Sequence, residues 1–152
     1  QFGVGGAVKY YSQALPANSG RGVTGDIGVL FATDSGKFRL GAVCHNLLGS
    51  LKYDSGHTDA FDRSFGAGVA VRPMDNLLIA ADVIWKDGMD ARIGGEFRLG
   101  KFALRAGGGY RDEKLSFSAG AGFLLPAFSI DYAYQTHSVL PDSHRLSLCV
   151  KF

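Results

Sequence analysis

Apolar and polar residues alternate one for one along nearly the whole chain, which is the two-residue period of a β-strand and not the period of a helix. About ten such runs follow one another, near residues 2–13, 23–33, 37–47, 60–73, 76–86, 91–100, 102–112, 115–125, 128–136 and 143–152. Turn-forming clusters separate them, among them Pro16-Ala17-Asn18-Ser19-Gly20, Asp34-Ser35-Gly36, Pro73-Met74-Asp75-Asn76, Lys86-Asp87-Gly88 and Pro141-Asp142-Ser143. The pattern predicts an all-β fold, an antiparallel up-and-down meander forming one domain over residues 1–152. No apolar run reaches the ~18 residues that a membrane-crossing helix needs; the nearest is Leu77 to Trp85.

Each run divides cleanly into two faces. In the sixth, Ala91, Ile93, Gly95, Phe97 and Leu99 alternate with Arg92, Gly94, Glu96 and Arg98. A soluble sandwich shows the same alternation, so the aromatic positions must decide between water and lipid. With odd runs drawn upward and even runs downward, Phe2, Phe31, Phe38, Phe97, Phe102, Phe123, Phe128 and Phe152 fall near the lower rim of the apolar face. Tyr10, Trp85, Tyr110, Tyr132 and Tyr134 fall toward its upper rim. Two belts of rings at two heights predict a bilayer between them, hence a transmembrane barrel with short lower turns, a longer upper stretch over 49–62 and both termini below.

The opposite face is then a lumen. It receives Lys9, Asp26, Lys37, Arg39, Arg72, Asp82, Lys86, Arg92, Glu96, Arg98, Arg105, Arg111, Asp131, Arg145 and Lys151. A ten-strand cylinder is about 20 Å across, so these charges must pair, and Asp82 and Glu96 are expected to bond Arg72, Arg92, Arg98 or Arg105. Inward glycines, including Gly3, Gly5, Gly28, Gly41, Gly66, Gly68, Gly107, Gly109, Gly120 and Gly122, leave room for long side chains. Inward Leu30, Val43, Leu47, Leu78, Ile84 and Leu124 are candidates for an apolar path, against the plainer reading of packing among arginine stems.

Other chemistry is thin. A net charge of +2 gives no basic field for nucleic acid. Cys44 and Cys149 have no CxxC spacing or clustered histidines, so neither metal nor cofactor is implied. His57, His137 and His144 with Asp59 and Asp142 fall in upper loops without forming a nucleophile, base and orienter, so no enzyme is expected. His45 points inward beside Asn46 as a satisfied histidine.

The closing alternation Leu146, Leu148, Val150, Phe152 resembles the signal by which barrel-assembly machinery recognises outer-membrane substrates. Several segments together resemble the PorV/PorQ-like outer-membrane proteins, relatives of the FadL fatty-acid transporters. They are Gly3-Val4-Gly5-Gly6-Ala7-Val8-Lys9-Tyr10, Gly25-Asp26-Ile27-Gly28-Val29-Leu30-Phe31, the stretch 40–49, Val71-Arg72-Pro73, Leu104-Arg105-Ala106-Gly107, Ile130-Asp131-Tyr132-Ala133-Tyr134 and His144-Arg145-Leu146-Ser147-Leu148. The resemblance implies the bacterial outer membrane and a channel or binding protein for hydrophobic small molecules such as long-chain fatty acids, with lipid or detergent around it. As its second implication it points to a PorV-like scaffold docking secreted or envelope proteins, while the charges leave open a barrel sealed by its own salt bridges. The chain corresponds to the C-terminal part of those larger barrels, without their Asn-Pro-Ala segment and hatch, or else to a shorter barrel closing on itself.

Overall fold

The computed structural model describes residues 1–15, 18–137 and 141–150 and folds them into a single 12-stranded antiparallel sheet. The strands are β1 (Phe2–Leu15), β2 (Asn18–Ala32), β3 (Phe38–His45), β4 (Gly49–Tyr53), β5 (Thr58–Ala60), β6 (Ser64–Met74) and β7 (Leu77–Trp85). They continue with β8 (Met89–Leu99), β9 (Phe102–Arg111), β10 (Lys114–Leu124), β11 (Phe128–Gln135) and β12 (Ser143–Val150). No helix long and apolar enough to cross a membrane occurs among the described residues.

The 12 strands amount to ten passes, because β3 with β4, and β5 with β6, are interrupted halves of single passes. β2 pairs with β3 through Ile27–Ala32 and with β4 through Gly20–Thr24. The break is made by left-handed Asn46 (φ 54°) and by Gly49 (φ 124°). A Cβ on Gly49 would lie 1.9 Å from the Val23 carbonyl oxygen, so only glycine lets the strand resume there. The stretch 49–62, expected as an upper loop, is therefore largely a β4–β5 hairpin extending the sheet. Of the other upper connections, 86–88 and 112–113 are as short as the lower ones, Asp112 (φ 49°) and Glu113 (φ 61°) forming a two-residue turn whose left-handed backbone suits strand twist, whereas residues 136–142 separate β11 from β12. The lower turns are short as expected, and the upper end is longer chiefly through the β4–β5 hairpin and the β11–β12 connection.

A second expectation is corrected at the edges. Among the described residues β1 pairs only with β2 and β12 only with β11, so the sheet is open and not a closed cylinder. The edges are also unequal, 14 residues against eight, so pairing one with the other would leave part of β1 unbonded.

Register fixes the faces, since directly opposed residues point the same way. One row runs Val4, Val29, Ala42, Ala67, Val83, Ala91, Tyr110, Leu115, and another Leu99, Phe102, Phe123, Ile130, Leu148. The opposite face carries Leu78, Glu96, Arg105, Gly120, Ala133, Arg145 in one row. Among the described residues no second layer covers either face, and extensive contacts are between hydrogen-bonded neighbours. Among the described residues the only buried hydrophobic side chain is Ala103, whereas Val4, Ile93 and Leu104 are 66%, 60% and 53% exposed.

The strands are also staggered. Followed from Phe2 at the lower end of β1, seven interstrand steps of opposed residues lead to Phe117, six residues above Phe123 on β10. Six residues are about 20 Å along a strand and seven steps about 34 Å across, so the strands lean by roughly 30° from the perpendicular to the lower rim.

Candidate functional site

Chemistry on this molecule is concentrated on the polar face, which divides into two regions. From β1 to β7 it is a trough of about 790 Å³. Its floor consists of two adjacent rows, Gly3, Leu30, Gly41, Gly68, Asp82 and Gly5, Gly28, Val43, Gly66, Ile84. Branched side chains stand among glycines in both, leaving gaps that side chains would otherwise fill. A Cβ on Gly5 would meet nothing within 4 Å, and one on Gly41 would make only ordinary contacts, with Leu30 at 3.6 Å and the Val29 carbonyl oxygen at 3.7 Å.

The next row up is polar. Asp26 accepts from the Lys9 Nζ at 2.8 Å and from the Asn46 backbone N–H at 3.0 Å, and lies 2.9 Å from the His45 Nδ1. Lys9 also donates to the Asn46 Oδ1 at 3.0 Å. The left-handed turn at Asn46 brings its N–H onto Asp26, so the strand break and the charge cluster stabilise each other.

From β8 to β11 the same face carries a ladder of ion pairs above a groove of about 990 Å³. Glu96 accepts from the Arg98 Nε at 2.6 Å and from the Arg105 Nε at 2.7 Å. Arg105 donates through Nη1 to Asp131 at 2.6 Å. Asp131 is two strands away, roughly 10 Å, and the guanidinium reaches it because Gly120 and Gly122 on the intervening β10 have no side chains. A Cβ at Gly122 would stand 2.5 Å from the Asp131 Oδ1 and 3.1 Å from the Arg105 Nη1. Higher up, Arg92 binds Asp90 through two bonds of 3.0 and 2.6 Å.

The expected partners of Glu96 are thus two of the four arginines named, while Asp82, although directly opposite Arg92, makes no ion pair with a described residue because Arg92 turns to Asp90. Arg39, Arg72 and Arg145 share the polar face and make no ion pair with a described residue. Of the candidate apolar lining, Leu30, Val43 and Ile84 stand in the trough and Leu78 borders the charged groove. Leu47 lies in the strand break, and Leu124 ends β10 at the lower rim outside both regions. Sequence reading missed Asp90, although Asp90-x-Arg92 shares one face by simple alternation.

On the apolar face Phe2 stands opposite Phe31, Phe38 opposite Val71, Phe97 opposite Leu77, Phe128 opposite Val150, and the Phe102 and Phe123 rings are 5.1 Å apart. Tyr10, Trp85, Tyr110, Tyr132 and Tyr134 occupy the upper part of that face. Phe65 and Phe117 join them there, so phenylalanine is not confined to the lower end. Phe152 and Lys151 lie outside the described residues, while Leu146, Leu148 and Val150 share the apolar face.

His144 is in β12 and not in a loop: it stands opposite Tyr134, with its Nδ1 2.7 Å from the Tyr132 hydroxyl. Asp142, before that strand, accepts from the Tyr134 hydroxyl and the His137 N–H, which hold its carboxyl below the usual range. His57 lies 2.8 Å from Asp59. No protein-family model matches the chain, and no curated protein matches it.

Proposed function

We propose that this sheet is an arc of the wall of a bacterial outer-membrane β-barrel, with its apolar face in lipid and its polar face toward an enclosed lumen. The supporting observation is the absence of a core: a chain this size in water should bury its large apolar side chains, yet among the described residues only Ala103 is a buried hydrophobe. Hydrocarbon is the medium in which such a face costs nothing. The lean of roughly 30° is close to the tilt of about 35–45° that barrel walls require. In lipid the free edges of β1 and β12 need partner strands, since each unpaired backbone group there costs several kcal/mol.

Within that wall the trough binds or passes hydrophobic small molecules, long-chain fatty acids being the class the resemblance to FadL-like proteins suggests. Its volume falls in the range of roughly 300–1,000 Å³ usual for small-molecule sites, and Leu30, Val43 and Ile84 offer apolar contacts beneath the Lys9–Asp26–His45 cluster. The test is saturable binding of a labelled fatty acid to vesicle-inserted protein. Ile84→Asp and Gly5→Leu should each weaken it at least tenfold. Unchanged binding in both variants would contradict the reading.

A second reading is favoured by the ladder alone. The Arg105 bonds to Glu96 and Asp131 bridge the β8–β11 part of the face across its groove, as expected of a wall whose lumen is closed by its own side chains. Planar-bilayer conductance that appears only on removing Arg105 would support it.

A further inference from the structure

The apolar face carries almost no charge. Among the described strand residues, only Arg21 and Lys52 interrupt it with permanent charges, and they sit side by side. Arg21 on β2 is the Cα partner of Lys52 on β4. Ser12 on β1 stands opposite Arg21, and Thr58 on β5 stands opposite Lys52. Two hydroxyls and two cations therefore form one continuous row across four strands, about 15 Å wide.

The row's height is informative. Val23, two residues below Arg21 on the same face, is the partner of Tyr10, so the cations lie about 7 Å above the level of an upper-belt ring. Like charges directly opposed on neighbouring strands repel. Both side chains are exposed, and neither makes an ion pair with a described residue. The nearby acid Asp59 is held by His57 and, as the partner of Leu51, belongs to the other face. Asp54 follows Tyr53, with its backbone N–H on the Ser19 carbonyl oxygen.

We propose that Arg21 and Lys52, flanked by the Ser12 and Thr58 hydroxyls, bind the phosphate groups of an anionic membrane lipid in the leaflet at the upper rim, with its acyl chains against Val23, Tyr10 and Val8. The inference rests on the lipid-facing reading of the apolar face. A guanidinium presents paired donors that match a phosphate, and an ammonium beside it adds a second point of charge. The acyl chains supply what a soluble anion lacks, namely apolar contact directly below the cations.

Full-chain protein reconstituted in phosphatidylcholine vesicles, with spin-labelled phosphatidylglycerol or phosphatidylcholine as probe, tests this. The motionally restricted fraction should show a preference for the anionic probe of roughly five- to tenfold, weakening at high salt. R21Q/K52Q should bring it near unity, and R21K should keep it. Trp85 quenching by brominated acyl chains in the same samples reports insertion independently. Quenching without an anionic preference, or a preference unchanged in R21Q/K52Q, overturns the site while leaving the lipid-facing reading standing. Absence of quenching overturns both. Loss of the preference to inorganic phosphate at constant ionic strength makes this a soluble-anion site and also overturns the proposal.

Discussion

The two regions of the polar face use the same residue for opposite ends. In the β8–β11 ladder, glycines are spaces already taken: Gly122 lies under the Arg105 to Asp131 bond, and Cβ atoms at Gly107 and Gly109 would stand 3.0 and 2.9 Å from the Ser118 and Ser116 hydroxyl oxygens. In the β1–β7 trough, Gly5 has open space above it and Cβ atoms at Gly3 and Gly41 would make only ordinary contacts, while those at Gly66 and Gly68 toward β7 would stand 3.0 Å from Val43 Cγ1 and 3.3 Å from Asp82 Cβ. Glycine content alone therefore does not say whether a sheet face is packed or hollow. What decides is whether the neighbouring strands supply long charged side chains, as β8, β9 and β11 do, or short branched ones, as β2, β3 and β7 do. The ladder ties strands together across its groove, whereas among the described residues the floor of the trough carries no such bonds.

The largest contrast should come from the charged side. Arg105→Met removes bonds to both Glu96 and Asp131 and leaves two carboxylates without their shared partner, and should cost about 2–3 kcal/mol. Urea unfolding of vesicle-inserted protein, followed by Trp85 fluorescence, measures it; a loss below half that range would mean that solvent already screens the ladder. Next, Gly122→Ala should destabilise by about 1–2 kcal/mol through its contact with Asp131, whereas Gly5→Ala should be neutral or stabilising by a few tenths through the unfolded chain. Equal effects at the two positions would erase the distinction between filled and open glycines. Smaller still, Leu30→Ala should cost under about 1 kcal/mol, against about 2–5 for a buried leucine, because Leu30 is 50% exposed. A full core-sized loss would show that the trough is packed in the membrane.

The smallest effect lies outside the face, at Asp142. Its carboxyl is held below its usual value first by the Tyr134 hydroxyl and then by the His137 N–H. A depressed folded-state pKa contributes stability above the unfolded carboxylate value of about 3.9, and that contribution fades as the pH falls through the lower folded value. The near-ultraviolet signal of tyrosine should therefore change on acidification below about pH 4, and Asp142→Asn should flatten that step. An unaltered profile in the variant would place the titration elsewhere.

Much of this was legible in the residues because alternation is a strict code. The passes, their direction and the membership of each face follow from period two, and Arg105 and Asp131 fall on one side without any knowledge of register. Which charges meet was not legible. Arg105 bridges two strands to Asp131 only because register puts Gly120 and Gly122 between them, and Arg92 prefers Asp90 on its own strand to Asp82 opposite. Nor was the break at Asn46 and Gly49, since a left-handed residue inside an alternating run leaves the hydropathy pattern almost intact. Sheet closure was the overreach: alternation fixes faces, whereas edges are settled by backbone pairing that no side-chain pattern records.

Nitroxide scanning of β9 tests the central claim most directly, one label at a time over residues 102–111 in a C44S/C149S background of vesicle-inserted protein. If the apolar face meets lipid, accessibility to oxygen should alternate, high at Phe102, Leu104, Ala106 and Gly108 and low at Ala103, Arg105 and Gly107, with the maximum near Ala106 midway along the strand. Equal accessibility on both faces, or high accessibility of Leu104 and Ala106 to a water-soluble nickel complex, would contradict it.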